Sequence, residues 1–308
     1  MVELIEKFIP LRLPNEELVS MILAQIPSRL RYRNYFYQVV DPEGQWALVE
    51  RTLRMVARGE DGLDGAAFLI FPEVSVPFRF KDDLVRIIQQ DFRPNTVTIA
   101  GFEHISLRQF WQVLAEYDAD NAEAHRLTAH GMNRAEADRP VNWCLAAVKD
   151  AEGRLHCFVE AKTHPFFGEE FLDQPRDLYR GQYLYFFRSQ FAPLSFVVLI
   201  CLDYIYRDEI GRFGAAGVLD HVHVAASRER PGHRDHVQDR IREQGALAWR
   251  LLGAGGYVYV CGSQPMRDAV RAAFVDVIAG HGRRSPEHAE AYLHELEMTT
   301  RYRPDLWG

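Results

Sequence analysis

The chain has 308 residues, 47% of them hydrophobic and 26% charged, with a formal net charge of −7 and a mean hydropathy of −0.23. That length holds one large domain or two ordinary ones, and the composition is that of a soluble globular protein. The negative balance argues against a general binder of nucleic acid or of anionic membrane surfaces, so neither is expected as a partner.

The opening MVELIEKFIPLRLPNEELV has no basic stretch followed by a long apolar one, so no signal peptide is expected and residues 1–41 stay unassigned. WALVERTLRMVARGE (46–60) has apolar residues three and four apart and predicts a helix. Strands are predicted over 66–73 and 95–103, separated by a helix over 82–92. Two more, 143–150 and 155–163, flank the turn KDAEG, and a further one covers 195–203. That last strand ends the longest apolar stretch, FAPLSFVVLICL, which is too short to span a bilayer. Strands over 221–227 and 256–262 and helices over 237–252, 266–280 and 286–298 complete the chain. In the first of these helices Val237, Ile241, Leu247 and Leu251 form one stripe; Ser285-Pro286 signals a helix start, and Gly253 and Gly280 signal stops. Several strands are continuous apolar runs alternating with helices, which predicts an α/β fold.

The four cysteines, Cys144, Cys157, Cys201 and Cys261, show no metal-ligand spacing. No metal is expected, and a reducing cytoplasm is the expected compartment. The basic runs SRLRYR (28–33) and RERPGHR (228–234) read first as solvated faces.

Glu73, Lys162 and Cys201 lie at the ends of three predicted strands, where α/β sheets usually build their sites. A thiol attacks an amide or nitrile carbon as the thiolate; a carboxylate takes its proton and an ammonium stabilises the tetrahedral anion. The Glu–Lys–Cys order with LIFPE, EAKTHPFF and VLICLD resembles the nitrilase, or carbon–nitrogen hydrolase, family over roughly residues 42–203. The resemblance implies an αββα sandwich in which Glu73 is the general base, Lys162 the anion stabiliser and Cys201 the nucleophile. Glu169 or Glu170, in FFGEEF, matches the family's second, positioning glutamate. The family fold continues with more strands and a helix after the cysteine, so a truncated sandwich with unpaired sheet edges is expected.

From Asp203 the text changes. DYIYRDE, SRE, VQDRIREQG, YVYVCG and DLW follow in an order and spacing that resemble the NADPH-binding lobe of diflavin reductases. This ferredoxin–NADP reductase-like group includes sulfite reductase flavoproteins and cytochrome reductases. The match covers about a third of the chain. Ser227 and Arg228 end a predicted strand with a hydroxyl and a planar guanidinium, a pair suited to a dianionic phosphate. By resemblance the phosphate is the 2′-phosphate of NADPH, and Arg234, His236 and Gln238 stand where the family has Lys, Tyr and Gln around it. Cys261 and Gly262 match residues beside the nicotinamide, while Asp305 and Trp307 match the terminal acid and the aromatic that covers the flavin ring. No Gly-Thr-Gly turn precedes DYIYRDE, and the family's FAD barrel with its Arg-x-Tyr-Ser stretch is not found. NADP(H) is therefore the expected cofactor, with FAD belonging to the parent family and a separate flavin-bearing chain a candidate partner.

Both resemblances claim ICLDYIYRDEI (200–210), which predicts three segments: 1–41 unassigned, 42–202 nitrilase-like and truncated, and 203–308 a partial, doubly wound NADP(H)-binding lobe. Strand 195–202 is a candidate to replace the lobe's missing first strand. The expected function is NADPH-dependent flavoprotein oxidoreductase by descent, incomplete as a stand-alone enzyme. The alternatives are a carbon–nitrogen hydrolase, or a noncatalytic chimera of two fragments.

Overall fold

The computed structural model describes residues 2–12, 19–24, 26–60, 63, 66–130, 136–165, 177–191, 194–200, 236–256, 258–262, 264–299 and 301–306. The chain divides into two compact units, Met1–Asp220 and His221–Gly308. Both mix helices with strands, so the chain is α/β.

The first unit opens with β1 (Glu3–Ile9), β2 (Met21–Leu23) and the hairpin strands β3 (Leu30–Arg33) and β4 (Phe36–Val39). Then come α1 (Pro42–Arg58), β5 (Phe68–Val76), α2 (Lys81–Asp91), β6 (Thr96–Ser106), α3 (Leu107–Glu116) and α4 (Asp118–His130). β7 (Pro140–Lys149), β8 (Leu155–Ala161), β9 (Tyr183–Ser189) and β10 (Ser195–Val197) follow. Helix α1 begins earlier than its apolar stripe because Asp41 caps it, its carboxylate accepting the Gly44 N–H at 3.0 Å with Pro42 in the first turn.

Five strands form one sheet in the order β2-β5-β6-β7-β8. β2, β5 and β6 run parallel, and β6, β7 and β8 antiparallel. A second sheet has the order β1-β9-β10, with β1 parallel and β10 antiparallel to β9. Every residue of β7 is buried, as its unbroken apolar run predicts. The two sheets meet through aromatic rings: Phe158 of β8 lies edge-on to Phe187 of β9 at 5.0 Å, and Phe68 of β5 edge-on to Phe196 of β10 at 5.1 Å. On the other side of the five-stranded sheet Trp143 stacks on Phe102 and meets Phe110 of α3. Lys149, also directed that way, donates to the carbonyls of Gln89 and Phe92 at 2.6 Å each, satisfying the C-terminus of α2.

One expectation is corrected here. The strand foreseen over 195–203 is only Ser195–Val197; residues 198–200 leave the ladder, and 201–203 lie outside the described residues. It pairs with β9 in the first unit, through Phe196 opposite Phe187. Residues 1–41, which carried no assignment, supply β1 to β4.

The sheet edge at β8 is sealed by side chains. Asp120 Oδ2 accepts the Cys157 N–H at 2.8 Å; Asn121 donates to the Cys157 carbonyl at 2.7 Å and accepts the Val159 N–H at 2.9 Å. The Tyr183 hydroxyl donates to the Val159 carbonyl at 2.6 Å. Four ladder groups that a neighbouring strand would satisfy are thereby bonded to side chains.

The second unit holds α5 (Val237–Glu243), α6 (Gly245–Gly253), β11 (Val258–Gly262), α7 (Gln264–Gly282), α8 (Pro286–Met298) and β12 (Tyr302–Leu306). β11 and β12 pair in parallel, a connection that requires a crossover, and α7 with α8 supplies it. Leu252, Val260, Phe274, Ile278 and Leu293 form its core. The single helix predicted over 237–252 is two, broken at Gln244. Gly245 follows the break, and a Cβ there would stand 2.6 Å from the His281 imidazole of α7.

Among the described residues no helix is long and apolar enough to cross a membrane, and no group of three or more His, Cys, Asp or Glu side chains is placed to hold a metal ion.

Candidate functional site

In the first unit Glu73 and Lys162 come together. β5 loses register with β6 between Phe71 and Val76, and Val74 has φ 56°, a region that a β-branched residue rarely enters. This irregularity turns the Glu73 carboxylate out of the ladder. Gly101 of β6 makes it possible, since a Cβ there would lie 2.4 Å from the Pro72 carbonyl oxygen and 2.7 Å from Glu73 Cα.

Lys162 follows β8, its N–H donating to the Asn142 carbonyl at 2.8 Å and its carbonyl accepting the Gly181 N–H at 2.9 Å. Its side chain has no solvent exposure, and Nζ donates to Glu73 Oε1 at 3.0 Å. The Asn142 amide donates to the same oxygen. Asn142 and Lys162 therefore hold one carboxylate oxygen, and Oε2 receives no donor from the described residues. A carboxylate fixed in this way has one face left to accept a proton.

Cys201, Glu169 and Glu170 lie outside the described residues. The other two thiols of this unit, Cys144 and Cys157, are buried and not joined in a disulfide. Burial pushes the Cys157 thiol up to about 12, far from thiolate character at neutral pH. Sequence reasoning missed Asn142 and Gly101. An amide inside a mainly apolar strand and a glycine inside another were the available signals.

In the second unit the C-terminal ends of β11 and β12 lie side by side, with Cys261 opposite Asp305 and Gly262 opposite Leu306. Two residues singled out 44 positions apart thus share one register position, at strand ends where open α/β sheets bind ligands. His236 precedes α5, its N–H donating to Asp239 Oδ2 at 3.3 Å, and Gln238 sits in the helix's first turn. Ser227, Arg228, Arg234 and Trp307 lie outside the described residues.

No protein-family model matches the chain. Curated proteins do match part of it. Over 106 residues it is 39% identical to the sulfite reductase [NADPH] flavoprotein alpha-component of Yersinia pestis, covering 34% of this chain and 17% of that protein. The protein of the same name from Pectobacterium atrosepticum is 38% identical over 106 residues, and that from Cronobacter sakazakii 41%. These matches support the diflavin reductase resemblance for about a third of the chain. The chain spans 17–18% of the length of these relatives, and none of these matches extends to the Glu73–Lys162 unit and the reductase-like segment together, since each covers only 34% of the chain.

Proposed function

We propose that the C-terminal part of the chain is an NADP(H)-binding lobe of diflavin reductase type, serving electron transfer from NADPH to flavin. The observation that carries this reading is the 38–41% identity, over 106 residues, to proteins named sulfite reductase [NADPH] flavoprotein alpha-component. Ser227 and Arg228, with Arg234, His236 and Gln238, would hold the 2′-phosphate, Arg228 as a charged fork. The paired strand ends carrying Cys261, Gly262 and Asp305 suit a nicotinamide, Gly262 by allowing close approach. Trp307 follows β12 directly and supplies a flat ring for stacking. A bound flavin, FAD in the parent family, supplies the hydride-accepting chemistry, and a separate flavin-bearing chain is the partner this reading calls for.

Retention on immobilised 2′,5′-ADP tests it. The wild-type chain is expected to bind and to elute with NADP+, and Arg228→Ala to lose roughly 10–100-fold in affinity, the worth of charged hydrogen bonds to one phosphate. A wild-type chain that runs through the resin overturns the reading.

A second reading, a carbon–nitrogen hydrolase, is favoured by one observation, the Glu73–Lys162 pair with its buried ammonium. On this reading Glu73 takes the Cys201 proton and Lys162 steadies the anion that forms on the substrate. Iodoacetamide at neutral pH is expected to label Cys201 and spare Cys144 and Cys157, with Glu73→Gln slowing the labelling. Equal labelling of Cys201 in the wild type and the variant rejects this role for Glu73.

A further inference from the structure

His156 of β8 lies between two carboxylates from different parts of the first unit. Its Nδ1 is 3.1 Å from Asp120 Oδ1, at the start of α4, and its Nε2 is 3.1 Å from Asp150 Oδ2, in the β7–β8 turn. A neutral imidazole carries one N–H and cannot donate to both; the imidazolium can. We propose that His156 is a proton-dependent latch that holds the first turn of α4 over the edge of β8, closed while the ring is an imidazolium and loosened when it becomes neutral.

The two anchors are unequal. The Asp150 side chain is fully buried and also accepts the Glu152 N–H at 3.0 Å, the Arg154 N–H at 2.8 Å and the Arg154 guanidinium at 3.1 Å. It stays in place whichever form the ring takes. Asp120 is partly exposed and is the side that moves. Its second oxygen seals the Cys157 N–H, and its neighbour Asn121 seals the Val159 N–H. A change at one ring nitrogen is therefore passed to two ladder groups of a sheet edge.

The other charges around the ring are Arg154 and Glu152 from the turn, Glu123 from α4 and Lys7 from β1, whose ammonium donates to the Asp120 carbonyl at 2.6 Å. Counting Asp120 and Asp150, four carboxylates stand against two cations, so the surroundings favour the charged ring. The hydrogen bond to Asp120, with that to Asp150 behind it, raises the imidazole above its ordinary value in spite of partial burial.

Amide hydrogen exchange read by NMR tests the latch, with the His156 ring titration followed in the same samples. After division by the intrinsic chemical rate, protection of the Cys157 amide is expected to fall, by up to roughly tenfold per pH unit, between the ordinary 6.5 and the ring's raised midpoint and to level off above it, as one proton is linked to opening. The Val159 amide should follow less steeply, and the β7 amides of Leu145 and Ala147 should not change. In His156→Gln the Cys157 amide should be weakly protected at both pH 6 and pH 8. In Asp120→Asn the ring loses its main anionic partner, and its midpoint moves to lower pH. Wild-type Cys157 protection that stays constant while the ring titrates overturns the proposal, as does a fall of the same size in His156→Gln.

Discussion

The Lys162 ammonium, with no solvent exposure, donates at 3.0 Å to the carboxylate of Glu73, 89 residues earlier in the chain. Removing the acid leaves a buried ammonium without the carboxylate it donates to. Glu73→Ala is expected to lower stability by about 3 kcal/mol, near the lower end for such a loss because Glu73 itself is partly exposed. Lys162→Met replaces the ammonium with an apolar side chain of similar length and should cost much less. Urea denaturation of the two variants checks the asymmetry, and equal losses would show that Lys162 is not dependent on this partner.

Gly101 determines where Glu73 can sit. In Gly101→Ala the new methyl meets backbone atoms at 2.4 and 2.7 Å, which cannot move aside as a flexible side chain would. A loss of about 2 kcal/mol is expected from the forced shift of β5. The same shift should break the Asn142 contact to Glu73, detectable as a change in the Asn142 side-chain amide resonance.

Asn121 is fully buried and uses both donors and two acceptor positions, on Tyr117, Cys157, Val159 and Tyr185. Asn121→Ala leaves the Cys157 carbonyl and the Val159 N–H without their partner. The expected loss is roughly 3 kcal/mol, with concentration-dependent association through the opened strand edge. Denaturation and light scattering read the two effects separately.

Stability should depend on pH at both ends of a window. His156 is raised by its hydrogen bond to Asp120, so its contribution is complete below the ordinary 6.5 and disappears as pH climbs through the raised value. For Asp150 burial acts upward, but the Arg154 amide, the His156 ring and the Arg154 guanidinium together hold the carboxyl below its ordinary 3.8. Its contribution is complete above that pH and is lost as pH falls through the lowered value. Thermal melting followed between pH 3 and 9 should show a plateau between these limits. His156→Gln should remove the alkaline decline and leave an acid decline set by Asp150 and the other carboxylates.

The sequence made α1, α2, β7 and β8 legible because each has a strong apolar period or an unbroken apolar run. Helix α4 escaped notice since DADNAEAHRLTAH buries Asn121, Ala124 and Thr128, a stripe with no large apolar member. Strand β12 contains Pro304, which argues against a strand; among the described residues it pairs with β11 alone, and a strand at a sheet edge tolerates the missing N–H. At the site, Glu73 and Lys162 were found through their strand-end positions and flanking motifs. Asn142 and Gly101 were not, because their roles depend on which atoms of other strands come near them.

Strand β1 runs alongside β9, with Glu3 opposite Tyr183. A ribosome adding about 5–20 residues per second needs roughly ten to forty seconds to reach that partner. For that whole interval Ile5 and Ile9, buried in the finished protein, have no strand to lie against. Synthesis therefore sets the earliest moment at which the three-stranded sheet can close, and a nascent chain stalled before Tyr183 carries an unpaired apolar ribbon that a chaperone, or another nascent chain, can reach first.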